Sequence, residues 1–187
     1  PFVTFNCAGV APDLHTAQLF GFEKGGLTRS VQRVSGIVEV ADTGTLFLDE
    51  VDALHPASQA GLLHAIEDHE IRRVGGTATI KANVRVVAAT SRDLDALVRS
   101  GRFRKDLYFR LSGLVFRVPS LRERSRDVPD LARYFLERLR GTSKTPVFSR
   151  EALSLMRDFP WPGNVRELRN AVERLILTVK GSEISAA

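Results

Sequence analysis

Gly44-Thr45-Leu46-Phe47-Leu48-Asp49-Glu50 is a short apolar, β-rich run that ends in two adjacent carboxylates. A continuous apolar run of this length fits a strand covered on both faces, as in a parallel sheet. In open α/β sheets ligands bind outside the carboxyl ends of the strands. The spacing therefore puts Asp49 and Glu50 at the edge where chemistry is done. In a nucleotide site Asp49 would hold a magnesium ion, and Glu50 would orient and polarise the attacking water. An ordinary strand followed by an acidic turn reads the same way, and the motif alone leaves the two open.

The flanking sequence supplies the rest of such a sheet. Val84 to Ala89 is a second apolar run, and Phe2 to Phe5 and Leu114 to Val118 are two further candidate strands. Helical spacing appears between them, over Ala57 to Ile66 with Leu62, Leu63 and Ile66 apolar, and over Leu94 to Val98. Strands alternating with helices predict an α/β fold with a parallel, doubly wound sheet. Glu70 to Val74 and Thr77 to Lys81 flank Gly75-Gly76 and predict a hairpin with a two-residue turn. Beyond Pro119 the period changes. Asp127 to Leu139, Arg150 to Phe159 and Val165 to Val179 carry apolar residues three and four apart, as in a small subdomain of three amphipathic helices. Asn164, with Glu167 three residues later, reads as the N-cap of the last helix. The expected division is residues 1–119 and 120–187.

Composition narrows the function classes. The 187 residues are 43% hydrophobic and 26% charged, which excludes a disordered chain. No apolar run approaches the roughly 20 residues of a membrane span, and Pro1-Phe2-Val3-Thr4-Phe5 lacks the positive start of a secretory signal. The single cysteine, Cys7, excludes an internal disulfide framework, fits a cytoplasmic protein, and reads as a buried filler. The net charge of +5 invites a nucleic-acid reading. However, the arginines of Leu121-Arg122-Glu123-Arg124-Ser125-Arg126-Asp127 are interleaved with acids, without stacking aromatics or a groove-reading motif.

Five stretches occur in one order: Leu19-Phe20-Gly21-Phe22-Glu23-Lys24-Gly25-Gly26-Leu27-Thr28, the Asp49-Glu50 strand, Phe103-Arg104-Lys105-Asp106-Leu107-Tyr108-Phe109-Arg110-Leu111, Leu121-Arg122-Glu123-Arg124, and Trp161-Pro162-Gly163-Asn164-Val165-Arg166-Glu167-Leu168. Together they resemble the central AAA+ domain of sigma-54-dependent transcriptional activators, the bacterial enhancer-binding proteins, from Pro1 to about Gly181. The resemblance implies a P-loop NTPase sheet with a helical lid, using ATP and Mg2+ to remodel the sigma-54 RNA polymerase holoenzyme at promoters. It implies a homo-oligomeric ring, a hexamer or heptamer, that reaches DNA only through a domain outside these residues. Asp49 and Glu50 match the Walker B carboxylates, and Asn6 the polar residue that restrains the catalytic glutamate. Thr90 and Ser91 fall where the family carries sensor I, near the γ-phosphate. Arg104 and Arg110 match the paired arginines that enter the neighbouring subunit's site, where a guanidinium offsets charge on the transferred phosphoryl group. Six apart on a straight helix they would not share a face, so they take different targets or the helix ends between them. Arg166, a cation in a helix's first turn, is disfavoured by the macrodipole unless it faces an anion; it matches sensor II.

Two departures from the pattern stand out. The Gly-rich phosphate loop, which the family carries upstream of the strand matched by Phe2 to Phe5, is not in the sequence. The expectation is that the natural protein continues N-terminally and that these 187 residues alone have negligible ATPase activity. The sigma-54 contact loop, Gly-Ala-Phe-Thr-Gly-Ala in the family, reads Gly25-Gly26-Leu27-Thr28-Arg29-Ser30 here. Leu27 keeps apolar reach without an aromatic face, and Arg29 adds a bulky charge. The alternative is a regulatory or binding module of the same fold that no longer activates sigma-54.

Overall fold

Strand β4 (Thr45–Asp49) lies at the centre of a three-stranded sheet in the computed structural model, which describes residues 1–25, 32–139, 146–179 and 181–186. On one side it pairs in parallel with β1 (Phe2–Asn6), where Asn6 stands opposite Asp49. On the other it pairs in parallel with β7 (Arg85–Ala88), where Leu48 stands opposite Ala88. Burial alternates along β4: Leu46 and Leu48 are fully buried, whereas Thr45 and Phe47 are half-buried, with Phe47 stacked on Phe2 at 6.2 Å between centroids. The apolar run is thus covered completely on one face only.

That buried face meets helices. Leu19 and Phe20 come from α1 (His15–Phe20), Leu62 and Leu63 from α3 (Pro56–Glu67), Leu97 from α4 (Leu94–Arg99), and Leu107 from α5 (Lys105–Leu111). All join Phe5, Leu46 and Leu48 in one core. Between α1 and β4 lie β2 (Gly21–Phe22), β3 (Val34–Ser35) and the short α2 (Ile37–Val40). Strands β2 and β3 pair antiparallel and bracket residues 23–33. Gly21 is required there: its φ is +77°, and a Cβ would sit 2.4 Å from the Val34 carbonyl oxygen.

Three local expectations change. Leu114 to Val118 forms no strand, and Leu114, Val115, Phe116 and Val118 are 71%, 72%, 80% and 79% exposed. A strand exists only through a ladder partner, and no described strand runs beside this segment. The hairpin is present as β5 (Glu70–Arg72) and β6 (Thr79–Lys81), but Arg72 stands opposite Thr79, so the connection is six residues rather than two. Val74 has left the hairpin to bridge β2, with hydrogen bonds from Val74 N to Gly21 O (2.9 Å) and from Glu23 N to Val74 O (3.0 Å). In the last helix the cap is Gly163, whose N–H is accepted by Glu167 at 2.8 Å. The Asn164 side chain instead accepts the Leu121 N–H at 2.8 Å.

The chain divides into two compact units, Pro1–Val115 and Phe116–Ala187. The second is built on α6 (Val128–Leu139), α7 (Arg150–Asp158) and α8 (Asn164–Thr178), packed around Leu121, Val128, Leu136, Leu153, Trp161, Leu168 and Val172. The stripe expected of α8 is observed, since Leu168 and Val172 are buried and Leu175 and Val179 pack against the same core. Two-residue strands β8 (Val147–Phe148) and β9 (Glu183–Ile184) pair in parallel, and segments that short have no readable period.

Candidate functional site

At the carboxyl edge of the sheet, β4 delivers Asp49 and Glu50 into a sharp turn. Glu50 adopts the left-handed conformation (φ 52°, ψ 48°), which costs a non-glycine residue about 1–2 kcal/mol. Its N–H is accepted by Asp49 Oδ1 at 3.0 Å. The next residue, Val51, donates its N–H to Ala89 O at 3.0 Å, and Ala89 N donates to Leu48 O at 2.8 Å. The turn is therefore fixed to the end of β7 by backbone bonds, independently of the Glu50 side chain, which is exposed. Strain of this kind is maintained where surrounding structure over-determines it, and it concentrates at functional positions.

The same edge gathers the other residues expected of the first unit's site. Asn6 is the register partner of Asp49, but its Oδ1 accepts the Gly9 N–H at 2.9 Å and no hydrogen bond joins it to Glu50. Thr90 and Ser91 follow β7. The Thr90 hydroxyl donates to Asp52 at 2.6 Å, and Ser91 is exposed. Cys7 N donates to Asp49 O at 2.9 Å, and the Cys7 thiol, 1% exposed, is pushed up to about 12 by burial first and then by the charges of Asp52, Asp49 and Glu50. Cys7 is accordingly expected to resist alkylation by iodoacetamide at pH 8 in the folded protein and to react once unfolded, since only the thiolate attacks. Mass spectrometry of the labelled protein checks this; rapid labelling of the folded chain would contradict the burial described.

A magnesium ion suits the donors at this edge. Among the described residues no group of three or more potential ligands gathers. Mg2+ takes one or two carboxylates and completes its shell with phosphate oxygens and water, and Asp49 retains a free carboxylate oxygen.

Arg104 and Arg110 make no hydrogen bond or ion pair with Asp49 or Glu50. Arg104 is the N-cap of α5 and Arg110 stands in its last turn, so the helix starts between them. The Arg104 guanidinium forks onto Asp106 at 3.0 and 2.7 Å and, through those hydrogen bonds, holds the Asp106 carboxyl down at about 2. Arg110 is exposed and makes no ion pair with a described residue. Gln59 is a positioning group that the pattern reading overlooked. It is 1% exposed; its Oε1 accepts the Arg104 N–H at 2.8 Å, and its Nε2 donates to Leu54 O and Arg102 O. A polar residue three before Leu62 on the apolar stripe of α3 is the signal that marks it. Asp52, which accepts the Thr90 hydroxyl, is the other residue that the pattern did not mark. Arg166, in the second unit, is exposed on α8.

Of the contact loop, Gly25 has φ +82° and open space around it, while Gly26, Leu27, Thr28, Arg29 and Ser30 lie outside the described residues. Arg73, 5% exposed, donates to Glu23 Oε1 at 2.8 Å and to Glu39 Oε2 at 2.6 Å, joining residues on either side of the loop to the β5–β6 hairpin.

Comparison with known proteins assigns this arrangement. Residues 1–117 match the family described as the Sigma-54 interaction domain, and residues 122–187 match the AAA+ ATPase lid domain. The chain is 46% identical over 187 residues to the transcriptional regulatory protein ZraR of Escherichia coli strain K12, covering 99% of this chain and 42% of that protein. It is 46% identical over 175 residues to the Nif-specific regulatory protein of Azotobacter vinelandii, covering 93% of this chain and 34% of that one. Among solved structures, NtrX from Brucella abortus superposes with a TM-score of 0.88 at 36% identity, over 97% of this chain and 41% of that chain. NtrX in complex with ATP gives 0.84 at 36% identity, over 95% and 40% of the two chains. No described helix is long and apolar enough to cross a membrane.

Proposed function

Because this chain belongs to the Sigma-54 interaction domain family and carries that family's AAA+ lid, we propose that it is the ATP-hydrolysing part of an activator that remodels sigma-54 RNA polymerase holoenzyme. The observation that carries this reading is the Asp49–Glu50 pair, held at the carboxyl end of β4 in a strained turn stitched to β7. Glu50 accepts the proton of the attacking water and aligns it. Asp49 holds magnesium, which when bound supplies positive charge to the phosphate oxygens. Asn6 is one strand away and exchanges Gly9 for Glu50 to restrain that carboxylate. Thr90 and Ser91 form the sensor I segment, with the exposed Ser91 hydroxyl contacting the γ-phosphate, and Arg166 takes the sensor II role.

Arg104 and Arg110 act on the site of a neighbouring copy, in a ring of six or seven subunits with ATP at each boundary. In that ring Arg104 leaves Asp106, its present partner, for phosphate oxygens, while the exposed Arg110 is available without a rearrangement. ATP is supported as the nucleotide by the NtrX complex. The chain spans about two fifths of ZraR, so these activities belong to the intact protein.

A second reading, a module of this fold that does not activate sigma-54, is favoured by the contact-loop sequence, where Leu27 and Arg29 replace an aromatic and a small residue. Promoter opening separates the two. The intact protein with ATP and sigma-54 holoenzyme is expected to form open complexes that permanganate footprinting detects. If ATP is hydrolysed but no open complex forms on any sigma-54 promoter tested, the activator reading fails and the second stands.

A further inference from the structure

The turn after β4 carries a third carboxylate, Asp52, whose side chain is 7% exposed. Its Oδ1 accepts the Thr90 hydroxyl proton at 2.6 Å and its Oδ2 lies 3.3 Å from Arg92 Nε. Thr90 Oγ1 in turn accepts the Arg92 N–H at 3.0 Å. Asp52 therefore closes a side-chain ring over the junction that Val51 N and Ala89 O make through the backbone. A threonine hydroxyl has one proton to donate. With that proton committed to a carboxylate, Thr90 cannot also donate to a phosphate oxygen. Ser91, the next residue, is exposed and donates to no described residue. The arrangement also puts a buried negative charge beside Asp49 and Glu50, which is tolerable because Arg92 and Thr90 both address it.

We propose that Asp52 is a positioning residue that locks Thr90 and Arg92 into the turn, fixing Asp49 and Glu50 relative to the end of β7 and leaving the Ser91 hydroxyl as the donor for the nucleotide. This rests on the nucleotide-site reading above. Its consequence is a split between turnover and binding, because the lock shapes the reacting geometry without touching the substrate.

In the intact protein, Asp52→Ala is expected to lower kcat about ten-fold, as small misplacements of reacting groups do. Affinity for a fluorescent ATP analogue should change less than about two-fold. Asp52→Asn retains an acceptor for Thr90 and should keep most of the turnover. Thr90→Val should reproduce the Asp52→Ala loss, and combining the two should cost no more than either, because they break one contact. Independently of activity, the Arg92 amide should exchange its hydrogen faster in Asp52→Ala, with the rest of the β4–β7 ladder as protected as before. Parental kcat in Asp52→Ala, or additive losses in the double variant, overturns the proposal. Glu50→Gln serves as the control. If it leaves turnover intact, the nucleotide-site reading itself falls; if it abolishes turnover while Asp52→Ala does not lower it, only the positioning role is lost.

Discussion

Replacing Glu50 by glutamine in the intact protein is expected to reduce ATP turnover by about 100- to 10,000-fold while nucleotide still binds. The magnitude is that of losing a positioned general base. Glutamine has the size of glutamate but cannot take a proton from water, and it polarises the nucleophile less. The turn should survive the change. Its hydrogen bonds run from Glu50 N to Asp49 and from Val51 N to Ala89, and the Glu50 side chain takes no part in them. An amide in place of an exposed carboxylate should therefore leave the strained backbone as it was. Steady-state hydrolysis, measured beside binding of a fluorescent ATP analogue, separates the two effects. Turnover within about three-fold of the parent, well inside a general base's contribution, would leave the fold assignment standing and remove the catalytic one.

The second large effect is expected at Arg73. Its side chain is 4% exposed and is shared between Glu23 and Glu39, which are 34% and 25% exposed. Burial tends to raise the Glu39 carboxyl, but hydrogen bonds from Arg73 and Ser35 outweigh it and bring it below the ordinary carboxylate value. Arg73→Met leaves two partly buried carboxylates with only the exposed Arg33, 4.0 Å from Glu39, as a remaining cation. Breaking a buried pair typically costs 3–5 kcal/mol, and the remaining solvent access of the acids brings the expected loss to about 2–4 kcal/mol. Adding Glu23→Gln and Glu39→Gln should recover part of it, because the uncompensated charge is then gone. Chemical denaturation of the three proteins checks this order; equal stability of Arg73→Met and the parent refutes it.

The same contact has a pH signature. A carboxyl whose folded value is depressed adds stability above its unfolded value near 4.5, and that stability disappears as pH falls through the lower folded value. The parent should therefore lose stability in acid more steeply than Arg73→Met. A functional loss accompanies the structural one. Arg73 joins Glu23, two residues before the proposed contact loop begins at Gly25, and Glu39, nine residues after it ends at Ser30, to the β5–β6 hairpin. Arg73→Met should thus impair promoter opening more than ATP hydrolysis in an intact activator.

Much of the candidate site's framework was readable along the chain because its signals are local. The run Gly44 to Leu48 and its two carboxylates need only their own sequence to announce a strand end, and β4 ends at Asp49. Val84 to Ala89 and Phe2 to Phe5 pair with it as expected of parallel strands. The amphipathic patterns of α6, α7 and α8 likewise survive folding, because a stripe at three- and four-residue spacing leaves a helix one way to bury it. Contacts between distant residues are not readable in this way. Asp52 and Thr90 are 38 residues apart, and Gln59 and Arg104 are 45 apart.

By itself, then, the sequence determined the parallel α/β class, the central strand with its acidic pair, the helical second unit, and the family to which all of these belong. Tertiary structure alone decided the rest. Arg73 pairs with Glu23 and Glu39, 50 and 34 residues away, Val74 bridges β2, and the connection is six residues rather than two. Leu121 claimed the Asn164 side chain and moved the cap to Gly163. Leu114 to Val118, apolar enough for a strand, stayed unpaired because a strand is defined by its neighbour. The physical reason is common to all three: propensity and period are set by adjacent residues, whereas hydrogen-bond and ion-pair partners are chosen by whichever groups folding brings within about 3 Å.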